Sequence, residues 1–213
     1  MKVEWSPLRL SETTPGGYAD SSKPIDQLIQ DHVKKLSDKL PVIVWICDIE
    51  DEKMNAKVQA KVFTDEKVGL ALKRFVCLKA EIQSMPDERQ AEKVARRCPI
   101  FMFYDPAGNV YANLEGRRAT SKGGFCGRVE KLWDLSFSMR LKDYTKKMGK
   151  ILDKIDKLEG LKARLEAKLA RAADNKSKYD ALQREREELL AQETKIAEDE
   201  QAIMAEVALR PEF

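Results

Sequence analysis

One histidine, His32, stands in 213 residues, and the four cysteines are scattered with no Cys-x-x-Cys pair. Too few ligands remain in zinc-binding spacing to build a Cys/His metal site. Neither a metal nor a cofactor is expected. No apolar run approaches the ~18 residues of a membrane-spanning helix. Met1 to Leu10 lacks the apolar centre of a signal peptide. These absences make the cytoplasm the expected location, where Cys47, Cys77, Cys98 and Cys126 read as free thiols. A Walker-type glycine loop and a dinucleotide fingerprint are also missing. So is a dominant charge: 39 Lys and Arg face 36 Asp and Glu, a net +3. With acids and bases interleaved along the chain, that excess argues against nucleic acid.

What the chain does have is order in its apolar residues. Residues 1–23 read as a tail, with Ser, Thr, Pro and Gly crowding the part from Ser11 to Lys23. Trp5, Leu8 and Leu10 precede that part and are placed to dock a short edge strand. Pro24 to Lys39 is expected as a helix, because Ile25, Leu28, Ile29, Val33 and Leu36 form one stripe. Pro41 to Cys47 is a buried strand by composition. Glu52 to Thr64 and Asp65 to Arg74 read as helices, and Phe75 to Ile82 as a strand. Arg89 to Arg96 reads as a short polar helix. Ile100 to Tyr104, the turn Asp105-Pro106-Ala107-Gly108 and a strand resuming at Val110 make a β-hairpin. Pro99, at the start of that hairpin, is tolerable only at a first strand position, and its peptide bond is a candidate for cis. Gly116 to Gly124 is expected as a basic loop. A helix then runs from Phe125 to Phe137 with Val129, Leu132, Trp133 and Leu135 inward.

Val62-Phe63-Thr64-Asp65-Glu66-Lys67-Val68 and Phe75-Val76-Cys77-Leu78-Lys79 carry a likeness. With Pro99 at the cis-proline position and Gly108 in the hairpin turn, residues 24–138 resemble a thioredoxin-like domain. The resemblance implies an α/β fold and places a Cys-x-x-Cys at the start of the helix after the first core strand. Those positions fall at Glu52 and Asn55, or at Asp51 and Met54 if the count shifts by one. None is a cysteine. A carboxylate is not a thiol nucleophile, and an amide cannot resolve a mixed disulfide. Dithiol oxidoreductase chemistry is therefore not expected. Cys98 beside Pro99, and Cys126 near a helix start, remain as candidate monothiols. Arg117, Arg118, Lys122 and Arg128 are a candidate contact for an acidic partner or a phosphate.

Residues 139–207 are expected as a coiled coil, and 208–213 as a second tail. Leu141, Tyr144, Met148, Ile151, Ile155, Leu158, Leu165 and Leu169 alternate by threes and fours, except where Lys162 interrupts. Leu161 is placed to fill that gap. Around Asp174 to Ser177 the stripe breaks, with Ser177 able to cap a new helix. Either a helical hairpin or one rod of roughly 100 Å satisfies the pattern, at 1.5 Å per residue. A stripe this long needs a partner. The expectation is a non-catalytic scaffold that binds a protein partner or itself through the coiled coil, as a homo-oligomer or as a subunit of a larger complex. The alternative is a monothiol redox protein.

Overall fold

In the computed structural model, β2 (Val42–Cys47) and β4 (Ile100–Tyr104) are buried at every residue. Residues 3–8, 23–36, 39–85, 87–172 and 175–213 are described. The chain forms two units, Met1–Leu141 with Leu209–Phe213, and Lys142–Ala208.

In the first unit, strands without a polar side must be covered on both faces. Here β2 and β4 are central in a five-stranded mixed sheet of order β1-β3-β2-β4-β5, with β1 Ser6–Leu8, β3 Val76–Glu81 and β5 Val110–Glu115. β1 and β2 run parallel to β3, and β4 runs antiparallel to both β2 and β5. Side chains alternate between faces with a period of two. Val42, Val44, Ile46, Ile100, Met102 and Tyr104 point to one side. There they meet Ile25, Ile29 and Val33 of α1 (Ile25–Val33) and Val94 of α4 (Glu88–Ala95). Trp45, Phe101 and Phe103 point to the other side, into an aromatic cluster. Phe101 and Phe125 rings lie 4.8 Å apart, and Trp45 and Phe63 rings 5.5 Å. The helices over this face are α2 (Glu52–Val58), which widens into a π-helical turn at Gln59–Phe63, α3 (Glu66–Leu72) and α6 (Lys122–Ser136).

The helix starts follow from short polar side chains. Asp51, Asp65, Asp87 and Ser121 each accept a backbone N–H from the first turn of α2, α3, α4 and α6. Gly108 has φ +79°, which the hairpin turn needs.

Several expectations change. Within the expected tail, the edge strand that Trp5 and Leu8 suggested is present: Trp5 packs on Phe63 at 5.2 Å, and β1 forms the sheet edge. Leu10 lies outside the described residues. Residues 209–213 return to the first unit instead of trailing. Leu209 bridges to Phe137, and Arg210 donates its backbone N–H to the Ser136 carbonyl at 2.9 Å. The expected basic loop is mostly helix. Gly116–Ala119 forms one turn, α5, and α6 begins at Lys122, since Ser121 caps it. Leu135 is 42 % exposed, and Ser136 takes the inward position. Val129, Leu132 and Trp133 face inward as expected, and Ser136 lies one turn on from Leu132 and Trp133 on the same face.

The second unit is a helical hairpin, so the rod is excluded. α7 (Leu141–Arg171) enters it and α8 (Lys176–Glu206) leaves it. Asn175, not Ser177, is the cap, accepting the Lys178 N–H at 3.1 Å. Leu158, Leu165, Leu169 and Ala172 pack with Leu182, Leu189 and Ile196. Charge supports the pairing: α7 carries ten bases and five acids, α8 five bases and nine acids. Lys154–Asp199 at 2.7 Å, Lys162–Glu193 at 2.6 Å and Arg186–Glu166 at 3.4 Å set the register, with Lys147–Glu206 beyond them. Exposed pairs add little energy singly. Their worth is in rejecting a slipped register. Leu161 is 45 % exposed, so Lys162 with Glu193, not Leu161, fills the gap in the stripe.

Phe101→Ala should cost about 3–5 kcal/mol, as expected for a large cavity in a fully buried site. Chemical denaturation of the full chain measures it, and a loss under 1 kcal/mol would contradict the aromatic core. Converting Lys162 and Glu193 together to Leu should raise the melting temperature of the full chain, because added apolar contact in the seam replaces an exposed ion pair that contributes little.

Candidate functional site

Two places carry chemistry-bearing residues, and both lie in the first unit. One is the start of α2 with the turn before β4. The other is the α5–α6 corner.

At the first place, Asp51 caps α2, and its Oδ1 accepts the Met54 N–H at 3.0 Å. Glu52 is the first helical residue. Asn55 donates its side-chain amide to the Asp48 carbonyl at 2.7 Å, which ties the helix to the end of β2. Asp48 Oδ1 in turn accepts the Gln83 amide at 2.7 Å and the Glu50 N–H at 3.0 Å. The Cys98–Pro99 peptide bond is cis. Cys98 is half-buried, and its thiol faces the Ile46 carbonyl at 3.8 Å. The structure thus places Glu52, Asn55 and their alternates Asp51 and Met54 at one helix start: Asp51 caps it, Asn55 tethers it, Glu52 is exposed and Met54 is half-buried. Asp48 is the residue the sequence reading passed over. Its position after an apolar strand and three residues before an Asp cap was the available signal.

The thiols are held in their neutral form. Burial pushes Cys98 up to about 12, aided by Cys47 and Asp48, with Arg97 opposing. Burial lifts Cys47 to about 11, against the pull of Lys79. Cys77 rises to about 12 through burial alone. Cys126 is also raised, first by burial and then by Asp65. α6 starts at Lys122, which leaves Cys126 past the first turn, where the helix dipole has faded. Among the described residues no group of three His, Cys, Asp or Glu side chains could hold a metal ion. What remains at the α2 end is a hydrogen-bonded acidic rim beside the protonated Cys98 thiol.

At the α5–α6 corner the four expected basic residues separate. Lys122 is taken by Asp65 at 2.8 Å, which holds that carboxyl below its usual range. Arg117 is exposed and stands apart. Arg118 and Arg128 line one groove of about 430 Å³, together with Gly123, Gly124, Gly127 and Lys131. Lys131 was missed. It stands one turn beyond Arg128 on the same face, a helical spacing readable once the region is known to be helix.

The residues expected to bind a partner through the coiled coil are instead covered within the chain. Leu141, Tyr144, Met148, Ile151, Leu158, Leu165 and Leu169 are buried, and Ile155 is half-buried. The Tyr144 hydroxyl reaches Met204 Sδ at 3.5 Å. α8 supplies the partner that the stripe requires.

Stability should fall as pH rises above about 9. Unfolded thiols ionise near 9, while folded Cys47, Cys77 and Cys98 keep their protons to about 11–12, so the folded state binds more protons in that window. Below pH 8 the thiols contribute no slope. Denaturation midpoints between pH 7 and 11 test this. A Cys47→Ala, Cys77→Ala, Cys98→Ala triple variant should show a shallower fall.

Comparison with known protein families and with curated proteins finds no match to this chain, so its function is read from its own residues.

Proposed function

We propose that this protein is a non-catalytic scaffold: a thioredoxin-like domain without its redox pair, joined to a helical hairpin that serves assembly. The sheet order β1-β3-β2-β4-β5 with helices on both faces supports the thioredoxin-like reading. The observation that carries the non-catalytic part is the start of α2. Where that fold places its dithiol, Asp51 caps the helix and Asn55 binds the Asp48 carbonyl. Those side chains have structural tasks and cannot exchange disulfides.

The hairpin's role follows from what stays uncovered. Its seam is filled internally, so a protein partner or a second copy meets the outer faces. Leu161, Leu190 and Tyr179 lie there, 45 %, 49 % and 38 % exposed. The monothiol alternative through Cys98 or Cys126 has against it the raised state of both thiols. With Cys98 near 12, fewer than one thiol in about 10⁴ is ionised at pH 7.5, and only the thiolate attacks.

Three measurements test the proposal. Insulin reduction should show no turnover, and turnover matching a dithiol enzyme would overturn it. Cys98→Ser and Cys126→Ser should leave cellular function intact in a folded protein. Leu161→Lys with Leu190→Lys should reduce particle mass by light scattering, or lose the co-purifying partner, with circular dichroism unchanged. Unchanged mass and unchanged binding would sink the assembly role.

A further inference from the structure

The first turns of α6 read Lys122-Gly123-Gly124-Phe125-Cys126-Gly127-Arg128. Glycine is the poorest helix former after proline, so a cluster of glycines weakens a helix unless something demands them. Gly124 has a local reason: a Cβ there would come within 3.1 Å of the Arg118 carbonyl oxygen. Gly123 and Gly127 have none. Neither has a positive φ, and a Cβ on either would meet no atom within 4 Å. Packing and backbone geometry would both accept alanine. What an added methyl would enter is the groove of about 430 Å³ that these two glycines line.

The groove is also cationic. From Gly116 to Lys131 five bases stand against one acid, Glu130, a larger excess than the net +3 of the whole chain. Lys122 is neutralised by Asp65. Arg118, Arg128 and Lys131 pair with no carboxylate among the described residues, and no carboxylate lines the groove. Unpaired like charges held around one concavity repel one another, a cost that an anion between them removes.

We infer that this groove binds a small phosphate-bearing molecule. Its volume is in the range of small-molecule sites. Two guanidinium groups supply forked donors that match phosphate oxygens, and Lys131 adds a point charge. The glycine floor lets the anion approach the α6 backbone as no side-chain-bearing residue would. The groove's lining residues all belong to the first unit and include none at the α2 end, and the inference stands whether or not the scaffold reading does.

The test uses the full chain at low ionic strength, titrated with inorganic pyrophosphate and followed by amide chemical shifts. Saturable shifts are expected at Gly123, Gly124 and Gly127. Arg118→Ala with Arg128→Ala should weaken affinity at least tenfold. Malonate at matched ionic strength should bind at least tenfold more weakly than pyrophosphate. Gly127→Ala should raise the melting temperature while weakening pyrophosphate binding at least threefold, which separates a binding role from a folding role. The inference is overturned by shifts spread evenly over all basic surface, by malonate binding as well as pyrophosphate, or by Gly127→Ala leaving affinity unchanged.

Discussion

Double burial of two strands is the constraint on which the first unit depends. β2 and β4 are buried at every residue, so neither face of the sheet can be left to water. Helices must cover both sides, and the chain between strands must be long enough to supply them. The two coverings differ in kind. α1 and α4 lay aliphatic stripes on one face. The other face is built from rings: Trp5, Trp45, Phe63, Phe101 and Phe125 meet at edge-to-face or tilted angles for the most part, which their quadrupoles favour. Ring packing on that face holds α6 in place through Phe125, and α6 in turn presents the basic groove.

The second unit solves its burial problem by charge as much as by apolar contact. α8 has only one good seam residue per heptad, Leu182, Leu189 and Ile196, with Arg186 and Glu193 between them. A seam that thin does not choose its partner by packing. An excess of bases on α7 against an excess of acids on α8 does, and it also disfavours pairing of either helix with a copy of itself.

Most of the strands and helices were legible because their signals are local. An unbroken apolar run such as Ile100 to Tyr104 and an Asp before a helix leave little choice. What stayed hidden depends on distant pairing. The hairpin could not be told from a rod because the break at 174–177 holds neither Gly nor Pro, and Lys162 looks like a defect until Glu193 stands opposite it. The C-terminal residues looked like a tail because nothing in Leu209 or Arg210 names Phe137 as their neighbour. Arg118, Arg128 and Lys131 scatter in sequence and converge only once α5 and α6 are known to be helices. The empty redox positions were legible as identities, whereas the capping work of Asp51 and the tether through Asn55 needed coordinates.

The bridge from Leu209 to Phe137 has a consequence for biosynthesis. The segment that covers the end of α6 emerges from the ribosome after the whole hairpin has been made. Phe137, with Arg74 stacked over its ring at 5.7 Å, waits through that interval without its final backbone partner. The hairpin is thus an insertion within the first unit, and its closure brings Leu209 back to where it is needed. A nascent chain stalled before Leu209 would present an unfinished α6 terminus, which a chaperone or a protease could distinguish from the finished protein.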